Sequence, residues 1–288
     1  SWYHVGRAQY EKNQFGPATL SFAKAGELSE DQQILEKSTY MLGWSHYRAN
    51  HFDPALVQFT QLIKQFPAGE HAADGRFMCG ECLFKLERYK EALAAYDTAR
   101  QKPLPENLTV LALLHGGQCA SALEDWSTSL KWLTVITEKF PKTDYVQESL
   151  FEQGVAHHHL NQLDDAFAAF EKVVQQSRNE LGARARFHMG EVDFTRKDFV
   201  AALKNYRRVL YGFGGDQAGD DIKPWQARSA FQAAQTSLIL AGETNNSTKK
   251  QMLIKNARGF YAVVVKKDPE GELANVAAEK IKELKSSP

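Results

Sequence analysis

Six glycines, Gly6, Gly43, Gly80, Gly117, Gly154 and Gly190, follow one another at spacings of 37, 37, 37, 37 and 36 residues. A fixed period of this length marks a chain built from copies of one small unit, each unable to bury its apolar face without neighbours. Glycine is common, so the period counts only if other columns keep the same phase. They do. Nine residues after each glycine stand Phe15, Phe52, Tyr89, Trp126, Leu163 and Phe199. Twelve after come Ala18, Ala55, Ala92, Ser129, Ala166 and Ala202, and sixteen after come Phe22, Phe59, Tyr96, Leu133, Phe170 and Tyr206. Two units close on Pro67 and Pro141, twenty-four after the glycine.

Each unit holds two apolar stretches of helical period, separated by a short polar turn such as "RANHF" or "LNQLD". Pro17 and Pro54 fall early in the second stretch, where a missing N–H costs a helix nothing. The glycine and the alanine are placed on facing helices, where small side chains let two backbones approach, with the aromatic columns filling the space around them. The unit is therefore a helix–turn–helix pair.

These residues closely resemble the tetratricopeptide repeat. "YMLGWSHYRANHFDPALVQFTQLIKQFP" (40–67) follows that family's order of aromatic, Gly, aromatic, Ala, aromatic and Pro almost throughout, and "FMCGECLFKLERYKEALAAYDTA" (77–99) does the same. The resemblance runs from Trp2 to about Val209 and implies an all-α fold, a right-handed α-superhelix (solenoid) of helix–turn–helix repeats. The units are two or three residues longer than the family norm, with connections such as "PAGEHAADG" and "PKTDYVQES". In this they are similar to bacterial envelope proteins of the outer-membrane assembly lipoprotein and periplasmic division-coordinator types. That likeness points to the periplasm or cell envelope and leaves the cytoplasm open.

The expected layout is six repeats over 1–210, a Gly/Asp-rich loop over 211–223, a degenerate seventh helical pair over 224–269 and a C-terminal capping helix over 270–288. The seventh pair is read as Trp225–Ala241 and Lys249–Lys267, split by the polar "GETNNSTKK". In the capping helix Leu273, Val276, Ala277, Ile281 and Leu284 are placed on one side. The chain opens "SWYHVGRAQY", without Met and already helical in pattern, and is read as a fragment of a longer protein.

Lys+Arg and Asp+Glu balance at 35 each, so the chain lacks the basic surplus with which nucleic-acid binders neutralise phosphates. No apolar run reaches the roughly 18 residues of a membrane span. Lys249 to Lys267 is locally basic, read as a solvated helix face with an anionic partner as the alternative.

The family resemblance implies that first helices line the concave side of the superhelix. Residues three before and four after each glycine share one helical stripe, with residue one after the glycine between them. That stripe supplies a candidate partner-binding groove of Tyr40, Trp44, Tyr47, Phe77, Glu81, Phe84, Phe151, His158, Phe187, Glu191 and Phe194. Large aromatics among polar neighbours concentrate binding energy, and Arg7, Arg48, Lys85 and Arg184 add polarity. The competing reading packs these rings between adjacent first helices; Trp44 beside Tyr40 and Tyr47 exceeds what such packing needs. Aromatic or Leu residues and two glutamates on the stripe argue against a clamp for a terminal carboxylate.

Other motifs give less. "HHHL" (157–160) points three imidazoles about 100° apart, so they cannot converge on one ion. "GFGG" (212–215) lacks the Lys and helix register of a phosphate loop. Cys79 and Cys82 in "MCGEC" flank the signature Gly80 mid-helix, where a thiolate is not stabilised. They read as small buried packing residues, with a Cys82–Cys119 link between neighbouring repeats as the alternative. The sequence reading is thus a non-catalytic scaffold without metal or cofactor that binds a protein or peptide, not nucleic acid. Its alternatives are a helical positioning arm of a larger enzyme or envelope or secretion assembly, or a self-assembling array using Trp2 and Tyr3.

Overall fold

A computed structural model describes residues 1–286, which form fifteen α-helices and one short 3-10 helix, with no strand among the described residues. The helices fall into two compact units, Ser1–Tyr145 and Val146–Pro288. The first holds α1 (Trp2–Glu11), α2 (Phe15–Glu27), α3 (Gln32–Arg48), α4 (Phe52–Gln65), α5 (Ala72–Lys85), α6 (Tyr89–Arg100), α7 (Glu106–Ala122) and α8 (Trp126–Lys139). The second holds α9 (Val146–His159), α10 (Leu163–Gln176), α11 (Glu180–Thr195), α12 (Phe199–Gly212), α13 (Lys223–Glu243), α14 (Ser247–Lys267) and α15 (Glu272–Ser286). Within each unit every helix packs on the next in sequence, the arrangement of an all-α helical-repeat solenoid.

The glycine column has a sharper cause than close backbones. A Cβ built on Gly6, Gly43, Gly80, Gly154 or Gly190 would lie 2.5–2.8 Å from the ring sixteen residues on, Phe22, Phe59, Tyr96, Phe170 or Tyr206. Each ring lies against the bare backbone of the first helix and is fully buried. The fourth repeat has Leu133 in that column, and beside it the Trp132 indole covers a second glycine, Gly116, whose added Cβ would meet it at 2.2 Å. A ring displaced by one residue thus finds a glycine displaced by one residue.

The turn between paired helices is also one construction used repeatedly. Seven residues after the signature glycine stand Asn13, Asn50, Glu87, Glu124, Asn161 and Lys197, all left-handed with φ of 57–60°. The N–H of the following residue donates back to a carbonyl five residues earlier, as in Gln14→Gln9, His51→His46 and Asp198→Asp193, each 2.9 Å. Together with the shorter bonds Asn13→Tyr10 and Lys197→Phe194, this is a Schellman stop that satisfies the carbonyls ending the first helix. Asp125 and Asp198 then cap the second helices of their repeats, accepting from Thr128 and Ala201 N–H.

The first unit has a core of Phe59, Leu62, Phe77, Met78, Cys82, Tyr96, Leu114, Leu133 and Ile136. Cys79, Cys82 and Cys119 are all free and buried, so the Cys82–Cys119 link does not form. Burial pushes the thiols of Cys79 and Cys119 up, to about 11 and about 12. The second unit has one cluster around Phe151, Phe170 and Met189 and another around Tyr206, Phe260 and Tyr261.

Beyond α12, Gly215–Gln217 forms the 3-10 helix and α13 begins at Lys223. α13 and α14 are 21 residues each, longer than the two expected stretches. The polar run between them leaves only 244–246 unhelical, because Asn246 caps α14 by accepting from Lys249 N–H at 2.9 Å. Gln226 ties α13 to the preceding loop through its amide, which donates to the carbonyls of Leu210, Phe213 and Gly215. α15 packs on α14 through Leu273, Ala277, Ile281 and Leu284. Val276, expected on that side, is instead 42% exposed. Residues 287 and 288 of the expected 270–288 helix lie outside the described residues.

Candidate binding surfaces

First helices touch one another directly, α1 on α3 and α5 on α7 in the first unit, α9 on α11 and α11 on α13 in the second. No two second helices approach as closely among the described residues. The first helices therefore form the inner row of each stack, and the aromatic stripe lies along it.

In the first unit the stripe is densest on α3. Trp44 is half-buried and stands edge-on to Tyr40 (6.4 Å between centroids), Tyr47 (5.7 Å) and the buried Phe59 (6.3 Å). Its indole nitrogen is itself buried beneath these rings. Tyr40 donates its hydroxyl to Asp74 of α5 and stacks parallel on His71 at 4.1 Å. Its phenol is pushed up chiefly by burial, then by Asp74; that of Tyr47 is raised by burial and by Glu81. Arg48 lies over Phe15 at 4.9 Å, while Arg7 pairs with Glu11. Phe84 stacks on His115 of α7 at 5.1 Å.

Glu81 is buried. It accepts from the Tyr96 hydroxyl at 2.6 Å, and His115 Nδ1 lies 2.6 Å from the same oxygen. Glu191 does the same for Tyr206 at 2.5 Å, and burial holds its carboxyl above the ordinary range. Glutamate one residue after the glycine thus occurs in the two repeats whose sixteenth residue is Tyr rather than Phe or Leu. A buried phenol needs an acceptor, and these carboxylates supply it. Phe77, Phe151 and Phe187 are likewise buried, at 4%, 2% and 9% exposure. These five stripe positions serve the repeat's interior. Glu191, Tyr40, Trp44, Tyr47, Phe84, His158 and Phe194 stay half-buried, Glu191 with its carboxylate turned to Tyr206.

In the second unit the inner row has a centre that the stripe does not include. The Arg184 guanidinium lies 4.4 Å above Phe151 and 5.5 Å from the Trp225 ring, and Arg228 covers Trp225 at 4.7 Å. The Trp225 N–H donates to Glu180 at 3.1 Å. His188 stacks on Phe170 at 5.3 Å and meets Phe151, Phe187 and Trp225 at 5.4–6.3 Å. Desolvation, reinforced by His158 and Arg184, pushes its imidazole down to about 3, so it is neutral at physiological pH. Trp225 belongs to no repeat column, and only its place at the start of a helical stretch was visible in the sequence. His158 Nε2 lies 3.1 Å from Thr195 Oγ1 across α9 and α11; His157 faces Gln162, and His159 is exposed. No group of three or more His, Cys, Asp or Glu among the described residues is placed to hold a metal ion. No described helix is long and apolar enough to cross a membrane.

Two family models described as tetratricopeptide repeat match the chain, one over residues 40–104 and one over 148–179. Residues 40–104 and 148–179 are tetratricopeptide repeats. The matched segments run from within α3 through α6 in the first unit and over the α9–α10 hairpin in the second. No curated protein matches the chain. Many solved structures do. The C-terminal part of a tetratricopeptide-repeat protein from Cytophaga hutchinsonii shares 12% identity, covering 96% of this chain and 98% of that one, with a TM-score of 0.68. A tetratricopeptide-repeat protein from Parabacteroides merdae shares 14% over 87% of this chain and 99% of that one, TM-score 0.56. PilF of Pseudomonas aeruginosa shares 14% over 85% and 97%, also at 0.56. At these identities the likeness is one of fold.

Proposed function

We propose that the protein is a non-catalytic scaffold that captures an extended or helical segment of another protein along its first-helix face. Tetratricopeptide repeats generally bind proteins or peptides and do not themselves catalyse. The observation that supports this face is the Tyr40–Trp44–Tyr47 cluster on α3, three half-buried rings packed edge-on to one another. Large half-buried rings are natural anchors, because an apolar side chain of the ligand covers them while their rims stay open to polar contacts. The buried stripe residues hold this face in shape and Phe84 extends it within the first unit; His158 and Phe194 lie on the first helices of the second unit.

The test uses peptides selected by display on the intact chain. Trp44→Ala and Tyr47→Ala should each weaken a selected peptide by about tenfold or more, the range of anchor truncations, with the helical circular dichroism unchanged. Wild-type affinity in both variants would remove the α3 cluster from the account.

A further inference from the structure

The charge balance of the whole chain conceals a local extreme. α12 carries Lys204, Arg207 and Arg208, and α14 carries Lys249, Lys250, Lys255, Arg258, Lys266 and Lys267, with no Asp or Glu on either helix. Lys266 and Lys267 pair with Asp216 of the connecting loop, at 3.0 and 3.2 Å. Lys204, Arg207, Arg208 and Lys255 make no ion pair among the described residues. Arg208 also acts on Arg186, whose guanidinium is held below its usual range by burial first and then by this like charge.

These cations border a cleft. A hollow of about 570 Å³ on α12 adjoins one of about 420 Å³ between α12 and α14, and Leu203, Arg207 and Tyr211 line both. The floor is apolar, made by Leu203, Phe260 and Val263. Val200 and Tyr211 are 69% and 65% exposed at its edge. Gly259 sits in the middle of α14 facing this cleft, and a Cβ there would meet nothing within 4 Å. Unlike Gly80 or Gly190, this glycine is not required by packing, and it weakens its helix by about 1 kcal/mol relative to Ala. Its effect is to leave the cleft floor open.

We infer that the α12–α14 cleft is a second docking surface, built for an acidic amphipathic helix of a partner protein. Apolar side chains at i, i+3/4 and i+7 fill the floor while flanking carboxylates meet Lys204, Arg207, Arg208 and Lys255, the helix-in-groove mode of recognition. From Val200 to Tyr211 the cleft runs along about three helical turns. The recess distinguishes this site from a flat basic face. A nucleic-acid backbone or a bilayer headgroup layer would meet the cations and leave the apolar floor uncovered.

The probe is a fluorescein-labelled helical peptide of about four turns with Leu along one face and Glu on both flanks, beside a twin with Lys for Glu. Anisotropy with the intact protein should show the Glu peptide binding at least about tenfold more tightly than its twin. The double variant Arg207→Glu/Lys255→Glu should reverse that preference. Gly259→Leu, which favours the helix and fills the floor, should abolish binding of the Glu peptide while the melting temperature holds or rises. Trp44→Ala should leave it unchanged. Equal affinity for the twins, or full binding by Gly259→Leu, would overturn the assignment. So would tighter binding to phosphatidylserine-containing vesicles or to single-stranded RNA than to the Glu peptide.

Discussion

The left-handed turn residues are not equally suited to their place. Asn13, Asn50 and Asn161 tolerate a positive φ through local hydrogen bonding, but Glu87, Glu124 and Lys197 carry long side chains at φ of 57–60°. Lys197→Gly should raise stability by about 1 kcal/mol in urea denaturation, since only the strain is removed. The signature glycines behave oppositely. Gly80→Ala puts a methyl 2.5 Å from the Tyr96 ring and should cost about 1–3 kcal/mol, whereas Gly259→Ala should gain about 1 kcal/mol. The glycine register is legible in sequence because ring-on-backbone packing admits one residue type. The turn position is not, because Asn, Glu and Lys all occupy it and only the backbone reveals their shared conformation. The pairing of Tyr96 with Glu81 and Tyr206 with Glu191 lay in the sequence as a co-occurrence, and the full burial of both phenols gives it meaning.

At the scale of the element, α11 shows how one helix divides its work. Its Arg184 and Phe187 meet Trp225, its Gly190 seats Tyr206, and its His188 is enclosed by rings. Because His188 is held down to about 3, against about 6.5 in an unfolded chain, the unfolded state takes up a proton that the native state refuses. Stability therefore falls as pH drops below about 6.5, and the loss grows toward pH 3. His188→Gln should flatten the melting temperature between pH 6.5 and 4 relative to wild type; an unchanged slope would show that His188 is not enclosed as described. Element boundaries were least legible where caps decide them. The polar run "GETNNSTKK" suggested a wide gap after Ala241, yet Asn246 lets α14 start at once. Val276 fits the apolar period of α15 but lies beyond the width of the face that α14 covers.

For the whole molecule, the repeat separates two kinds of surface within each unit. First helices carry the aromatic stripe, and second helices bury one column against it while their outer sides vary freely. The sequence makes the stripe legible as a register but does not separate its interior members, such as Phe77 and Phe151, from its half-buried ones, because exposure depends on the neighbouring repeat. The charge of α12 and α14 was half legible. The basic run of 249–267 stands out alone, but its junction with Lys204, Arg207 and Arg208 requires the helices to be placed side by side. The cluster at Trp225 lies outside the period and could be found only through Arg184 and Arg228 packed upon it.

The scaffold account rests on the first-helix face, and hydrogen exchange of the chain with and without a display-selected peptide measures it directly. The account predicts slowed exchange in α3 and α5, around Tyr40 to Tyr47 and Asp74 to Phe84, with α4 and α6 unchanged. Slowing confined to second helices, α12 and α14 included, or no slowing in α3 at saturating peptide, would contradict it.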